Sequence, residues 1–330
     1  MKRSLILLCL ISLVFSCSFK EKMFHKFQKF VKKYNKNYSS ISEFLARFNV
    51  FVSNYIEAKK ANKESHHSGI TQFSDLTKQE FAKTYLNLDF NALSIIRPQA
   101  SQFVNLNGAP DEWDWREHNA VSQVMDQGTC SGAWAFTTIG NLEGLYSIHK
   151  NELIPLSVQH LIDCDDNDSG CNGGMMDRAI EWITEHGLMR AEDYKYTGRV
   201  GQCMDDPTKY IDMKVVGLEK LGSEGTWSPC DENEMKEYLY QHGPLMAGLN
   251  ASPLQTYMGG IIDLDAKRCD PYQINHAAVV VGYGTEGGID FWTVKNSWGD
   301  VWGEKGYFKI ARGKGTCGIN YYVLSGKVEF

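Results

Sequence analysis

The chain has 330 residues, 43% of them hydrophobic and 22% charged, and a net charge of -6. That length is enough to bury a large core and suits two folded units better than one. The acidic balance gives no basic face, which excludes nucleic acid as an expected partner.

The first element in chain order is Met1-Lys2-Arg3, followed by the apolar run from Leu5 to Phe15 and then Ser16, Cys17 and Ser18. A basic start, an apolar stretch and small or polar residues have the layout of a signal peptide, here residues 1–18. The run is too short to stay across a bilayer. The expectation is therefore a protein free of the membrane after signal removal, extracellular or in a lysosomal or endosomal compartment of the secretory pathway.

From residue 22 onward, Phe24, Phe27, Phe30, Val31 and Tyr34 recur at helical spacing. Ser39, Ser40 or Ser42 can cap a second, longer helix, on which Phe44, Phe48, Phe51, Tyr55 and Ala58 share one stripe. A plain amphipathic helix would look the same. The polar array is more telling, because Glu43-x3-Arg47-x3-Phe51-x2-Asn54-x3-Ala58-x3-Asn62 resembles the ERFNIN motif of papain-family propeptides, with Ala in place of Ile. Gly69-x-Thr71-x-Phe73-x-Asp75 is similar to their GNFD motif, with Thr in place of Asn. The resemblance implies that residues 19–104 are an inhibitory propeptide of the I29 type. It also implies that Leu86 to Pro98 crosses a catalytic cleft in the non-productive direction.

The boundary lies within Gln99 to Pro110, where small and polar residues carry no periodicity. A second unit, residues 105–330, opens with Asp114-Trp115-Arg116, similar to the start of papain-like peptidase domains. Gln127-Gly128-Thr129-Cys130-Ser131-Gly132-Ala133-Trp134-Ala135-Phe136 then reads as a turn leading into a helix N-terminus. Unpaired N–H groups and the macrodipole favour an anion there, which suits a thiolate. The stretch resembles the C-G-[SA]-C-[WY] signature of papain and cathepsin cysteine peptidases. It departs from that signature at the nucleophile, because the second Cys is Ala133 and the preceding pair is Ser131-Gly132.

Helices are expected from about Ala133 to His149, after Leu156-Ser157, and from Asp177 to His186. After Gly201 short β-rich runs are expected: Val215-Val216, Leu245 to Leu249, Ala277 to Val281, Phe291 to Val294 and Tyr307 to Ile310. The fold class implied is α+β, a papain-like two-subdomain fold, helical on the left and β-barrel-like on the right, behind a helical prodomain. The resemblance also assigns roles. His276 is the general base, Asn296 fixes its tautomer, and Trp298 shields that bond. Gln127 supplies an oxyanion donor together with the main-chain N–H of residue 133. Gly173 and Gly174 pair with the substrate main chain, while Met176, Gly248, Ile274 and Tyr322 line a pocket for a bulky apolar P2 residue. Gly299 to Gly306 reads as tight turns packing Trp302.

Of nine cysteines, Cys9 and Cys17 lie in or beside the signal, which leaves seven, an odd number. The resemblance implies the pairs Cys130-Cys171, Cys164-Cys203 and Cys269-Cys317, and Cys230 is then expected to be a bystander surface thiol. Asn37, Asn167 and Asn250 each head an N-x-Ser sequon. No metal site, cofactor or nucleotide loop is expected. The implied partners of a monomer are peptide or protein substrates, its own propeptide and cystatin-type inhibitors.

A methyl group at position 133 cannot form a thioester. The chain as written is therefore expected to be inactive, and Ser131 and Thr129, ahead of the helix start, do not replace the thiol. Two readings remain open. One is a cysteine endopeptidase proenzyme whose Cys was exchanged deliberately, favoured by the intact His276, Asn296 and Gln127. The other is a natural pseudoprotease that binds peptides, inhibitors or partner proteins, favoured by the signal peptide and the swapped Ser131-Gly132 pair.

Overall fold

The computed structural model describes residues 19–62, 66–86, 88, 108–222 and 229–330. The signal peptide and most of the stretch from Leu86 through the boundary segment lie outside the described residues.

The N-terminal unit packs α1, residues 19–33, on α2 (Ile41–Ala61). Ser40 caps α2 by accepting from the Glu43 main chain, as expected for a short oxygen-bearing side chain at that position. The apolar stripes meet in an aromatic core of Phe27, Phe30 and Phe51, with Phe44 and Phe48 half-buried around it. The polar array of α2 faces the other way and reaches along the chain. Arg47 bonds Glu80 at 2.8 Å, and Asn54 donates to the carbonyls of Ser74 and Leu76. Those bonds hold the turn at 69–77 and α3 (Lys78–Tyr85), which begins with a Thr77/Glu80 capping box, while Asn62 holds the end of β1 (His66–Ser68) by bonding both main-chain groups of Ser68.

In the second unit, α4 (Ala133–Lys150), α5 (Val158–Cys164) and α6 (Met176–Glu185) gather around Trp134, Ile139, Leu142, Leu161, Ile180 and Ile183. The strands are β2 (Trp113–Asp114), β3 (Lys214–Lys220), β4 (Leu245–Leu249), β5 (Tyr257–Ile262), β6 (His276–Glu286), β7 (Ile289–Lys295), β8 (Tyr307–Ala311) and β9 (Tyr322–Glu329). With β1 they form a mixed sheet in the order β1-β5-β8-β7-β6-β4-β9-β3, to which β2 adds on β6. Only the β5–β8 pair is parallel among the described strands. A second core, around Trp292, Trp298, Trp302 and Phe308, lies on this sheet.

The structure corrects two expectations. The β half carries a helix, α7 (Glu232–His242), capped by Asp231, with Met235 and Leu239 buried. Cys230 is a free thiol, as the odd count requires, but it is buried at 3% exposure, not a surface group. Burial, then the Glu234 and Glu232 charges, push its pKa far up, so it remains a protonated, unreactive thiol. The other six cysteines form Cys130–Cys171, Cys164–Cys203 and Cys269–Cys317. Each closes a loop of 39 to 48 residues, a constraint on the unfolded chain of about 4 kcal/mol in the chain-entropy model.

Candidate active site

Ala133 is the first residue of α4, and the N-cap Gly132 offers no side chain to the first turn. The absent Cβ of Gly140 lets α4 lie against β6, where a β-carbon would come within 2.9 Å of Val279. Phe136 from the first helical turn and Ala277 from the start of β6 line one cavity of about 20 Å³. The N-terminus of α4 and the start of β6 thus lie side by side, with Ala133 on one and His276 on the other.

His276 is fully buried, and its Nε2 lies 2.9 Å from Asn296 Oδ1. An amide oxygen can only accept, so Nε2 carries the proton and Nδ1 is the basic atom of the neutral ring. Trp298 lies over this pair, 4.8 Å from the imidazole between ring centres, and is itself fully buried. Burial pushes the His276 pKa down to about 4, against the opposing bonds to Asn296 and to the Tyr85 main chain.

Gln127 is also fully buried. Its Nε2 donates to the Cys130 carbonyl at 2.9 Å, and its Oε1 accepts from Ser297 Oγ at 2.7 Å. The turn before α4 is thereby locked to the segment that carries Asn296. Sequence reasoning passed over Ser297, although its place inside Asn296-Ser297-Trp298 was a usable signal.

Below this layer runs a half-buried polar chain that no motif announced. Lys295 Nζ donates to Ser122 Oγ at 2.8 Å, Ser122 donates to Glu143 Oε2, and Glu143 Oε1 accepts from the Leu156 main chain at 2.8 Å. Desolvation lowers the lysine pKa and raises that of the glutamate, while their mutual attraction opposes both shifts. The chain joins α4 to the end of β7, one residue before Asn296.

Met176, Ile274 and Tyr322 are buried in one cluster. A β-carbon on Gly248 would fall 2.9 Å from both Ile274 and Tyr322, so the glycine keeps this space open. The Tyr322 hydroxyl donates to Asp177 Oδ1 at 2.8 Å, a carboxylate that sequence reasoning missed. Gly174 lies against Trp134 and Asp168, and Gly173 precedes it with a positive φ of 115°.

The N-terminal unit occupies this region. Phe73, Phe81 and Tyr85 set their rings edge-on to Trp298 at 5.3, 5.4 and 6.3 Å. Gln72 donates to the Trp298 carbonyl at 2.7 Å, and Ser131 Oγ donates to Thr84 O at 2.8 Å. Leu88 N donates to Asn275 O at 3.1 Å, and the Leu88 side chain is buried in the cluster of Met176, Ile274 and Tyr322. β1 extends the sheet antiparallel to β5. No group of three or more His, Cys, Asp or Glu residues arranged to hold a metal occurs among the described residues.

A helix N-terminus facing a His–Asn pair across two halves, with a helical unit plugging the junction, defines the proform of a cysteine-protease fold. Comparisons with known proteins agree. Residues 109–327 match the Papain family cysteine protease family and residues 27–81 the Cathepsin propeptide inhibitor domain (I29). The chain is 37% identical to cysteine proteinase 15A of Pisum sativum, over 91% of this chain and 85% of that one. It is 37% identical to cathepsin F of Mus musculus, over 94% of this chain and 66% of that one. It superposes on digestive procathepsin L 3 of the Tenebrio molitor larval midgut with TM-score 0.81 and 31% identity, covering 92% and 98% of the two chains. The chain belongs to the papain family of cysteine proteases and has the organisation of a cathepsin-like proenzyme.

Proposed function

We propose that this proenzyme has the complete setting for cysteine-protease chemistry without the nucleophile, and that it binds peptide chains in its cleft without cutting them. In this reading Ala133 stands at the nucleophile position, His276 is the base, Asn296 its orienter, and Gln127 with the residue 133 N–H forms the oxyanion site. The observation that carries it is the methyl side chain at the start of α4 beside an intact His276–Asn296–Trp298 group. Loss of the nucleophile in a comparable Ser triad lowers turnover about a million-fold.

Gly173 and Gly174 serve as the main-chain partner of the peptide, and Met176, Gly248, Ile274 and Tyr322 as the pocket for an apolar P2 side chain. The burial of the propeptide's own Leu88 in that cluster supports the preference. The basic and apolar layout of residues 1–18, with three disulfides, supports passage through an oxidising secretory compartment, with residues 19–104 as propeptide and 105–330 as the second unit.

The second reading is a cysteine endopeptidase proenzyme whose Cys was exchanged deliberately, favoured by the intact His276, Asn296 and Gln127; the Ser131-Gly132 swap favours the natural pseudoprotease, since a deliberate exchange changes one residue. Ala133→Cys tests the site itself. The matured revertant is expected to take up a thiol-directed epoxide and to cleave apolar-P2 peptides, whereas the parent does neither. A folded, matured revertant that stays unlabelled sinks the assignment of residue 133. Peptide binding by the propeptide-free parent, measured by fluorescence anisotropy, tests the binding half, and an absence of binding refutes it.

A further inference from the structure

Asp165 caps the C-terminal end of α5, and Asp168 lies three residues on, ahead of the Cys171 disulfide. Asp165 is 5% exposed. One oxygen of each carboxyl group has a donor: Asp165 Oδ1 accepts from Asn167 N and Asp168 Oδ1 from Met175 N, both at 2.9 Å. The remaining Oδ2 atom of each is buried and meets no donor. The two carboxyl groups are nonetheless within hydrogen-bonding reach of each other. A carboxyl group can bond another only by donating a proton, because two ionised groups offer acceptors alone.

Asp168 also touches the glycine stretch directly. A β-carbon on Gly174 would fall 2.8 Å from Asp168 Cγ on one side and 2.7 Å from the Trp134 ring on the other. With the bond to Met175 N, the Asp168 carboxyl is the support on which residues 173–175 rest.

We infer that Asp165 and Asp168 share a proton and form a pH-dependent prop under Gly173–Met175, ordering that stretch when protonated and loosening it when both groups ionise. The charged and titratable groups facing the pair reinforce this. Asp166 lies beside Asp165, α6 presents Asp177 and Arg178, β9 presents the Tyr322 phenol, and α4 presents the uncharged Trp134. Arg178 alone among these favours ionisation, and burial with the surrounding acidic groups outweighs it. Burial foremost, then the Asp166 charge at Asp165 and the Asp165 charge at Asp168, hold both groups well above the usual carboxylate range.

The sign follows from linkage. The folded chain holds protons here that the unfolded chain has already released, so the prop is present in acid and is lost as pH rises through neutrality. The consequence for peptide binding rests on reading Gly173 and Gly174 as the peptide's main-chain partner. The loosening itself does not depend on that reading.

Amide hydrogen exchange on the full chain, corrected for its intrinsic pH dependence, is the test. Protection of residues 165–176 is expected to fall about tenfold or more between acid and mildly alkaline pH, with α4 unchanged as an internal control. In Asp168→Asn the amide donates to Asp165 at every pH, so the profile is expected to become flat. Asp165→Asn serves the same purpose should the first variant fail to fold, and carboxyl-carbon NMR titration of the unaltered chain needs neither. A pH-independent parent, or a variant that keeps the parent's profile, overturns the proposal, as does a pair that titrates in the usual carboxylate range. Failure of peptides to bind while the exchange profile holds would sink the binding function alone.

Discussion

The Phe73 ring meets the Trp298 indole edge-on, 5.3 Å between centroids at 83°, so the residue that covers the His276–Asn296 pair is itself covered by the propeptide. Phe73 also contacts Phe81 and Tyr85 and is 2% exposed. Phe73→Ala empties the centre of this aromatic group, a change that typically destabilises by about 3–5 kcal/mol. The expected outcome is a propeptide that separates early. It is measured as faster nicking of the 86–110 segment by added chymotrypsin, for which Phe90 and Phe103 are sites, with little change in the melting of the second unit.

The depressed His276 pKa makes propeptide binding pH-dependent. The covered imidazole has a pKa of about 4, below its value of about 6.5 in the open chain. The protonated ring therefore favours the uncovered state, and the propeptide's hold is complete above about pH 6.5 and is lost as pH falls towards 4. Calorimetric titration of a separately made propeptide into the propeptide-free chain is expected to show that weakening. His276→Gln is expected to remove most of it.

The Lys295–Ser122–Glu143 chain bridges α4 and β7, with Glu143 buried and Ser122 and Lys295 half-buried. Lys295→Met leaves the Glu143 carboxyl group buried beside an apolar side chain and is expected to destabilise by about 3–5 kcal/mol. Lys295→Met with Glu143→Leu removes both charges and is expected to recover much of that loss. Urea denaturation of the parent, Lys295→Met, Glu143→Leu and the double variant gives the coupling energy, and additive effects would show that the pair does not act as one unit.

The three sequons differ in exposure. Asn37 and Asn167 are on the surface, whereas Asn250 is 4% exposed and its Nδ2 donates to the Asp270 carbonyl at 3.0 Å. A glycan on that nitrogen would remove the bond and has no room. Peptide mapping of the chain expressed through a eukaryotic secretory host is expected to find Asn250 unmodified, with any carbohydrate at Asn37 or Asn167.

Elements whose side chains follow a strong period were legible in the sequence. α2, α4 and α6 occur within about a residue or two of their expected ends, and β4 where a run of apolar residues announced it. α7 was missed because its apolar positions, Met235 and Leu239, are sparse among charges. Asp231 at the cap with Glu232 and Glu234 in the first turn was the signal available. Cys230 looked like a surface thiol from its polar neighbours, but its burial depends on the packing of α7 against the sheet, which local sequence does not encode.

The sequence by itself determined the family resemblance, the residue types at positions 127, 133, 276 and 296, and the odd cysteine, because each is a matter of identity or spacing along one chain. Only the tertiary structure decided what those residues touch: Phe73 on Trp298, Leu88 in the buried cluster with Met176, Ile274 and Tyr322, Asp168 under Gly174, and Lys295 joined through Ser122 to Glu143. Such contacts join positions far apart in the chain, and desolvation at each is the sum of many unrelated neighbours. No local pattern carries that sum.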